Sequence, residues 1–217
     1  MTFSELSPVW QRVFSLAWAS VCMGSRAIGA VIADEAGNIL SEGRNRTGER
    51  AIPNPKADHA ESEAVRGLDT QKYPDLHSYV LYAGLEPCVM CMGTAVMGGM
   101  RHFVIAAHDS FGGAMGLLGA HPFLAAKHVC VEWADPLLGG VQRGMQAIRE
   151  LLQQKDEARL HEILAAFAEC DPEGVAAAKA LVASGMFSGH SCRDFTAEEI
   201  VNALLKEIES SGTTPHS

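Results

Sequence analysis

The chain has 217 residues, 47% of them hydrophobic, and a formal charge of −9. That length and composition support one sizeable core with residues to spare for an appendage. They argue against a membrane protein, since no apolar run reaches a span and no charged-then-apolar leader opens the chain, and the acidic balance gives no support to a non-specific nucleic-acid surface. Six cysteines without a regular framework suit a reducing compartment, so a cytoplasmic protein is expected.

Ser7-Pro8 opens the first predicted helix, in which Trp10, Val13, Phe14, Ala17, Trp18 and Val21 recur at helical spacing and are assigned to the core. Ile28 to Ala33 is a short apolar run expected as a buried strand. Asp34 to Asn38 is a turn, and Ile39 to Asn45 returns as the partner strand. Residues 46–58 form a polar loop with two prolines, followed by a helix from His59 to about Leu68. A strand over Ser78 to Ala83 delivers the chain to a helix from Cys88 to about Met97. His102 to Ala107 is the next strand, and the glycine-rich stretch Asp109 to Gly119 is expected as a loop near a cleft. Val129 to Trp133 is a last strand, and Pro136 to about Gln153 a helix.

The chemistry lies in two short segments. His59-Ala60-Glu61 is followed by Pro87-Cys88-Val89-Met90-Cys91. One histidine and two cysteines can hold a zinc ion that keeps a fourth position open, which marks a catalytic rather than a structural site. Zinc held this way lowers the pKa of a water toward neutrality, so that hydroxide can attack the amidine-like carbon of an aminated ring. The ring nitrogen and the leaving amine must each gain a proton, and Glu61, two residues from a ligand but not needed as one, can carry both. Cys88 and Cys91, three apart, share one side of a helix start, and the helix dipole favours their thiolates. Together the segments form the H-x-E…P-C-x-x-C pattern of zinc-dependent nucleobase deaminases. A redox pair or half of a structural zinc site would account for Cys88 and Cys91 but not for His59 and Glu61. Cys22, Cys130, Cys170 and Cys192 are isolated and are expected as plain thiols. His102 and His108 are not assigned to the metal.

With these motifs the chain resembles the cytidine deaminase-like superfamily over roughly residues 6–153, and within it the branch of tRNA adenosine deaminases and guanine or cytosine deaminases. Leu85 to Cys91 and Gly43-Arg44-Asn45-Arg46 carry the likeness. The resemblance implies a three-layer α-β-α sandwich built on a five-stranded mixed sheet, one zinc per chain on His59, Cys88 and Cys91, Glu61 as catalytic proton carrier, and a homodimer. It also implies substrate contacts from Asn45 and Asp109. On the residues alone Asn45 could equally make a turn, Asp109 could cap the following segment, and Asp58 could be a cap or support a ligand.

Beyond residue 153 the likeness ends, and residues 154–217 are expected as a helical C-terminal extension. Residues 156–169 place Leu160, Ile163, Leu164 and Phe167 on one face, residues 172–184 are alanine-rich, and Thr196 to Glu199 form a capping-box pattern opening a last helix. Ser210 to Ser217 are expected to fray. The extension holds five Lys and Arg against eleven Asp and Glu, and is expected as a small cap or a dimer element. A surface that grips tRNA would place basic residues against phosphates. The favoured function is therefore a zinc-dependent hydrolase (an aminohydrolase) acting on a free nucleobase, nucleoside or related aminated heterocycle. A tRNA adenosine deaminase is the alternative, and a non-enzymatic zinc-stabilised binding protein the third reading.

Overall fold

The computed structural model describes residues 1–211. A five-stranded mixed sheet runs in the order β2-β1-β3-β4-β5, built from β1 (Gly29–Ala33), β2 (Ile39–Arg44), β3 (Val80–Leu85), β4 (His102–Ala107) and β5 (Cys130–Trp133). β1 pairs antiparallel with β2 and β3, whereas β3, β4 and β5 run parallel. Every residue of β1 is buried, as expected for a strand covered on both faces. The four central and N-terminal strands fall within two residues of their predicted limits, because each is an apolar run bounded by turn residues.

Two apolar cores flank the sheet. On one face lie α2 (Ala60–Gly67) and α3 (Val89–Met97), packed through Ala60, Ala64, Met92, Ala95 and Val96. On the other lie α1 (Pro8–Cys22) and α5 (Pro136–Gln153). Pro8 stands at the first helical position of α1 and the Ser7 hydroxyl accepts from Trp10 N–H, so the predicted start has its physical cap. The whole stripe from Trp10 to Val21 is buried. A 3-10 turn over Met115–Gly119 interrupts the stretch expected to be loop, and a four-residue helix α4 (Pro122–Ala125) follows it. Both are too short to leave a periodic signal.

The residues after 153 form α6 (Glu157–Cys170), α7 (Pro172–Ala183) and α8 (Ala197–Ser211). The capping box at Thr196 and Glu199 is present: Glu199 Oε2 accepts from Thr196 N–H at 2.7 Å, and Thr196 Oγ1 accepts from Glu199 N–H at 3.2 Å. Ser210 and Ser211 belong to the last helix rather than to a frayed end, and the rest of the predicted tail lies outside the described residues. These helices share one continuous core with α1 and α5 through Val175, Ala178, Ile200, Leu204 and Leu205. α7 approaches α5 closely enough that a Cβ on Gly174 would lie 2.2 Å from the Gly140 carbonyl oxygen, so only glycine fits there.

Arg143 of α5 makes the join tighter. Its side chain is fully buried. Its Nε donates to Asp171 Oδ2 at 3.1 Å, its Nη1 to Gln146 Oε1 at 3.0 Å and its Nη2 to the His108 carbonyl, while Phe167 lies under the guanidinium at 4.6 Å. One buried cation thus ties the end of β4 to the junction of α6 and α7.

Candidate metal centre and active site

Helices α2 and α3 start side by side, and the chemistry sits at those starts. His59 is the N-cap of α2 and Cys88 the N-cap of α3. Glu61 lies in the first turn of α2 and Cys91 in the first turn of α3. Both helix N-termini aim their positive ends at the same point, which favours thiolate over thiol. The close seating of β2 on α2 that brings this about depends on Gly43, where a Cβ would stand 2.1 Å from the Ala60 carbonyl oxygen.

One ligand atom each from His59, Cys88 and Cys91 can be chosen so that all three lie within 4.8 Å of one another. Cys88 Sγ is 3.6 Å from His59 Nδ1. Tetrahedral zinc, with Zn–S about 2.3 Å and Zn–N about 2.0–2.1 Å, requires sulfur and nitrogen ligands roughly 3.6 Å apart. The donor set and its spacing therefore fit zinc, with Nδ1 as the imidazole ligand. Without metal, hydrogen bonds from Cys91 and His59 hold the Cys88 thiol down to about 3, as a thiolate. The neighbouring Cys88 thiolate and burial push Cys91 up, while its bond to Cys88 raises the His59 imidazole. A thiolate held against a second sulfur that keeps its proton for want of a counter-charge is a site that a cation would complete. Ser62 Oγ donates to Cys91 Sγ at 3.4 Å and orients that ligand.

Glu61 is 3% exposed, and burial raises its carboxyl to about 7. A carboxyl poised near neutrality can both accept and return a proton. Asn45 is 1% exposed at the end of β2, where its Oδ1 accepts from Thr47 N–H at 3.1 Å and Thr47 Oγ1 at 2.7 Å. The turn role open in the sequence is thus realised, and it occupies the amide oxygen only. Asp58 makes no cap on α2; its carboxylate lies 3.8 Å from Arg46, which also reaches Glu63 at 3.4 Å and steadies the approach to His59. Asp109 Oδ1 accepts from Phe111 N–H at 3.0 Å.

Glu86, to which the sequence assigns no role of its own, organises that loop. Its carboxylate accepts from Asp109 N–H at 3.2 Å and from Met115 N–H at 3.1 Å, and Cys88 forms a backbone bridge with Gly113. Beside this loop a cavity of about 200 Å³ lies between Leu85, Asp109, α5 and the α6 face carrying Ile163 and Phe167. Its position next to the loop could not be read from sequence, because nothing local ties residue 163 to residue 85. A second trio, His102, Cys130 and Glu132, sits on the neighbouring strands β4 and β5. It is open to solvent, and His102 already meets Glu132 at 2.6 Å; a buried acid such as Glu61 belongs to the first group.

Residues 4–107 match the family model of the cytidine and deoxycytidylate deaminase zinc-binding region. A tRNA-specific adenosine deaminase of Bacillus subtilis (strain 168) is 36% identical over 146 residues, 63% of this chain and 84% of that protein. The chain belongs to the cytidine and deoxycytidylate deaminase family. Zinc is accordingly its metal, and the five-stranded sheet is the family's. A tRNA-specific adenosine deaminase of Haemophilus influenzae is 37% identical over 103 residues, 46% of this chain and 57% of that protein. The matched part thus spans little more than half of that relative. In fold the chain is similar to the guanine deaminase of Nitrosomonas europaea, with a TM-score of 0.53, 21% identity, and 66% and 83% of the two chains covered. Among the described residues no helix is long and apolar enough to cross a membrane.

Proposed function

We propose that this deaminase is a cytoplasmic zinc-dependent hydrolase that releases ammonia from a free nucleobase, nucleoside or related aminated heterocycle. The observation that carries the reading is Glu61, buried beside the His59–Cys88–Cys91 trio with its carboxyl raised to about 7. When bound, zinc supplies a water acidified enough to act as nucleophile at neutral pH. Glu61 takes the proton that this water gives up and passes it to the ring nitrogen as the C–O bond forms. It then carries the second proton to the exocyclic amine, the C–N bond breaks, and ammonia and the oxo product leave. Asn45 offers its amide N–H₂ to the substrate edge, and Asp109 borders the entrance. His59, Cys88 and Cys91 are the ligands in this scheme.

In this reading residues 1–153 carry the chemistry and residues 154–217 are an extension, helical over its described part. A small substrate is supported by the way α6 walls the cavity next to the Asp109 loop, which narrows the room for an RNA loop. A homodimer is supported by the outward apolar side chains of α3, where Val89 is 63% and Met97 70% exposed. The second reading, deamination of adenosine in a tRNA anticodon loop, draws its support from the relatives named tRNA-specific adenosine deaminase. Ammonia release from nucleobases, nucleosides, nucleotides and an anticodon stem-loop, assayed side by side, separates the two. Turnover of a small molecule, abolished in Glu61→Gln, is expected. Turnover of the stem-loop alone would establish the second reading.

A further inference from the structure

His102 and Cys130, which the deamination chemistry leaves unused, face each other across the sheet. They are register partners on the parallel strands β4 and β5. Side chains alternate along a strand, so Glu132, two residues after Cys130, projects from the same face. Val131 between them packs into the opposite core, with α2 and α3. An imidazole, a thiol and a carboxylate thus share one patch at the edge of the sheet, where β5 is the last strand. One donor atom from each can be chosen so that all three lie within 4.8 Å of one another. His102 Nε2 is 2.6 Å from Glu132 Oε1, and Cys130 Sγ is 4.0 Å from the same oxygen.

In tetrahedral zinc, with Zn–S about 2.3 Å and Zn–N and Zn–O about 2.0–2.2 Å, nitrogen and oxygen ligands stand roughly 3.3 Å apart and sulfur and oxygen roughly 3.6 Å. The patch brackets both values, so one gap must open and the other close, each by less than about 1 Å. Cys130 and Glu132 are exposed and His102 is part-buried, so side-chain rotation supplies that movement without disturbing a core. Among the described residues no Lys or Arg pairs with Glu132, which meets only His102. Its charge extends to Tyr82 on β3, whose phenol is raised by burial first and by Glu132 second. A cation arriving here meets a carboxylate that no fixed cation has neutralised. The donor set decides which cation. Mg²⁺ and Ca²⁺ take oxygen ligands, whereas a thiolate and an imidazole with one carboxylate suit Zn²⁺. Three ligands leave the fourth position to water.

We propose that His102, Cys130 and Glu132 form a second, exchangeable zinc site that clamps the edge strand β5 to β4. The Cys130 thiol gives its proton to solvent as it coordinates, and the ion takes the place of the hydrogen bond between His102 and Glu132. The site is separate from the catalytic centre. It lies at the start of β4, and the six residues of that strand carry the chain roughly 16 Å to Ala107, whose carbonyl accepts from Glu86 N–H beside Cys88. Its ligands are open to solvent, so dialysis against metal-free buffer empties it while the more buried centre stays loaded. Two of its three ligands lie outside the matched residues 4–107, so it belongs to this chain and not to the matched zinc-binding region.

The test uses the full-length protein, dialysed against metal-free buffer under a phosphine reductant, with the catalytic centre loaded. Zn²⁺ is titrated in calorimetrically. One further equivalent per chain should bind, and the melting temperature should rise as zinc is added, since the ion binds the folded state. His102→Gln, Cys130→Ser and Glu132→Gln should each weaken that equivalent at least about 100-fold, because even the loss of a group behind a ligand costs about 10–100-fold in metal affinity. Each should also remove the zinc-dependent rise in melting temperature. All three positions lie at the surface, and nearly unchanged melting before zinc is added shows the variants to be folded alike. Mg²⁺ should give no binding. Co²⁺ added to the same protein should produce a thiolate-to-cobalt absorption band that Cys130→Ser abolishes. A band of undiminished strength in Cys130→Ser would report exchange at Cys88 and Cys91 and count against the patch. Absence of a further equivalent, or one that any of the three substitutions leaves unchanged, would overturn the proposal. His102 and Glu132 would then be a plain ion pair guarding the edge of the sheet.

Discussion

Asp171→Ala tests how firmly the extension is joined to the catalytic unit. The substitution removes the carboxylate that meets Arg143 Nε at 3.1 Å, while the arginine stays fully buried. Removing one partner of a buried pair typically costs 3–5 kcal/mol, because the other charge is left without compensation. Here the guanidinium keeps the His108 carbonyl, Gln146 and the Phe167 ring, and the Asp171 side chain is itself 15% exposed. The loss should fall at the lower end, about 3 kcal/mol. For a chain of this size each kcal/mol lowers the melting temperature by roughly 2–4 °C, so a fall of about 6–12 °C is expected. Denaturant titration of the zinc-loaded protein with an unchanged m-value would show that stability and not compactness has changed. A loss below about 1 kcal/mol would refute the assignment of Arg143 as a charge dependent on Asp171. A double-mutant cycle with Arg143→Met gives a second check: fully additive losses would mean that the two residues do not act as a pair.

The remaining predictions concern the centre and the extension. Cys88→Ala should lose zinc and, with it, stability, since binding free energy is partly folding free energy; full occupancy by elemental analysis would refute the ligand assignment. Glu61→Gln should keep zinc and lose nearly all turnover. The same substitution has a pH signature in metal-stripped protein. The folded Glu61 holds its proton up to about pH 7 and the unfolded one only to about 4.5, so the carboxyl costs stability progressively as pH rises between those values, about 3 kcal/mol in total. The variant should therefore gain on the wild type across that window, and a constant difference between them would contradict the burial argument. Asn45→Ala should weaken the substrate by roughly 1–3 kcal/mol through an unpaired polar edge; unchanged KM and kcat would remove Asn45 from the site. Deleting residues 154–217 strips Asp171 and Phe167 from Arg143 and uncovers the apolar face of α5, so aggregation or altered oligomeric state is expected. A soluble truncated protein of unchanged mass and kinetics would show the extension to be dispensable.

The periodic elements were legible because their signals are local. The α1 stripe repeats at helical spacing, the strands are apolar runs between turns, and Thr196 and Glu199 carry their cap in four residues. The metal trio was legible for a related reason: zinc chemistry fixes both residue types and their order, even across the gap from Glu61 to Cys88. Arg143, Arg149 and Arg159 gave no such signal. On a helix each looks like an ordinary surface cation, and only the packing of α6 and α7 against α5 turns one of them into a buried tie and two into cavity lining. Glu86 was hidden next to the motif itself, since its partners Asp109 and Met115 lie more than twenty residues on. The acidic balance of the extension is a sum and carries no direction, so it does not tell that Arg159, itself 53% exposed, borders the cavity beside the Asp109 loop.

The Glu86 carboxylate sets a rule for anyone who would redesign this enzyme. It holds both ends of the 109–115 loop from the residue two places before Cys88, and Gly113 packs so near that a Cβ would lie 2.4 Å from its carboxyl carbon. Insertions or deletions there would pull on the metal segment, so new specificities should be sought by changing side chains at 110–112 within a loop of fixed length. Libraries that vary those three positions should yield folded, zinc-bearing proteins far more often than libraries that vary loop length.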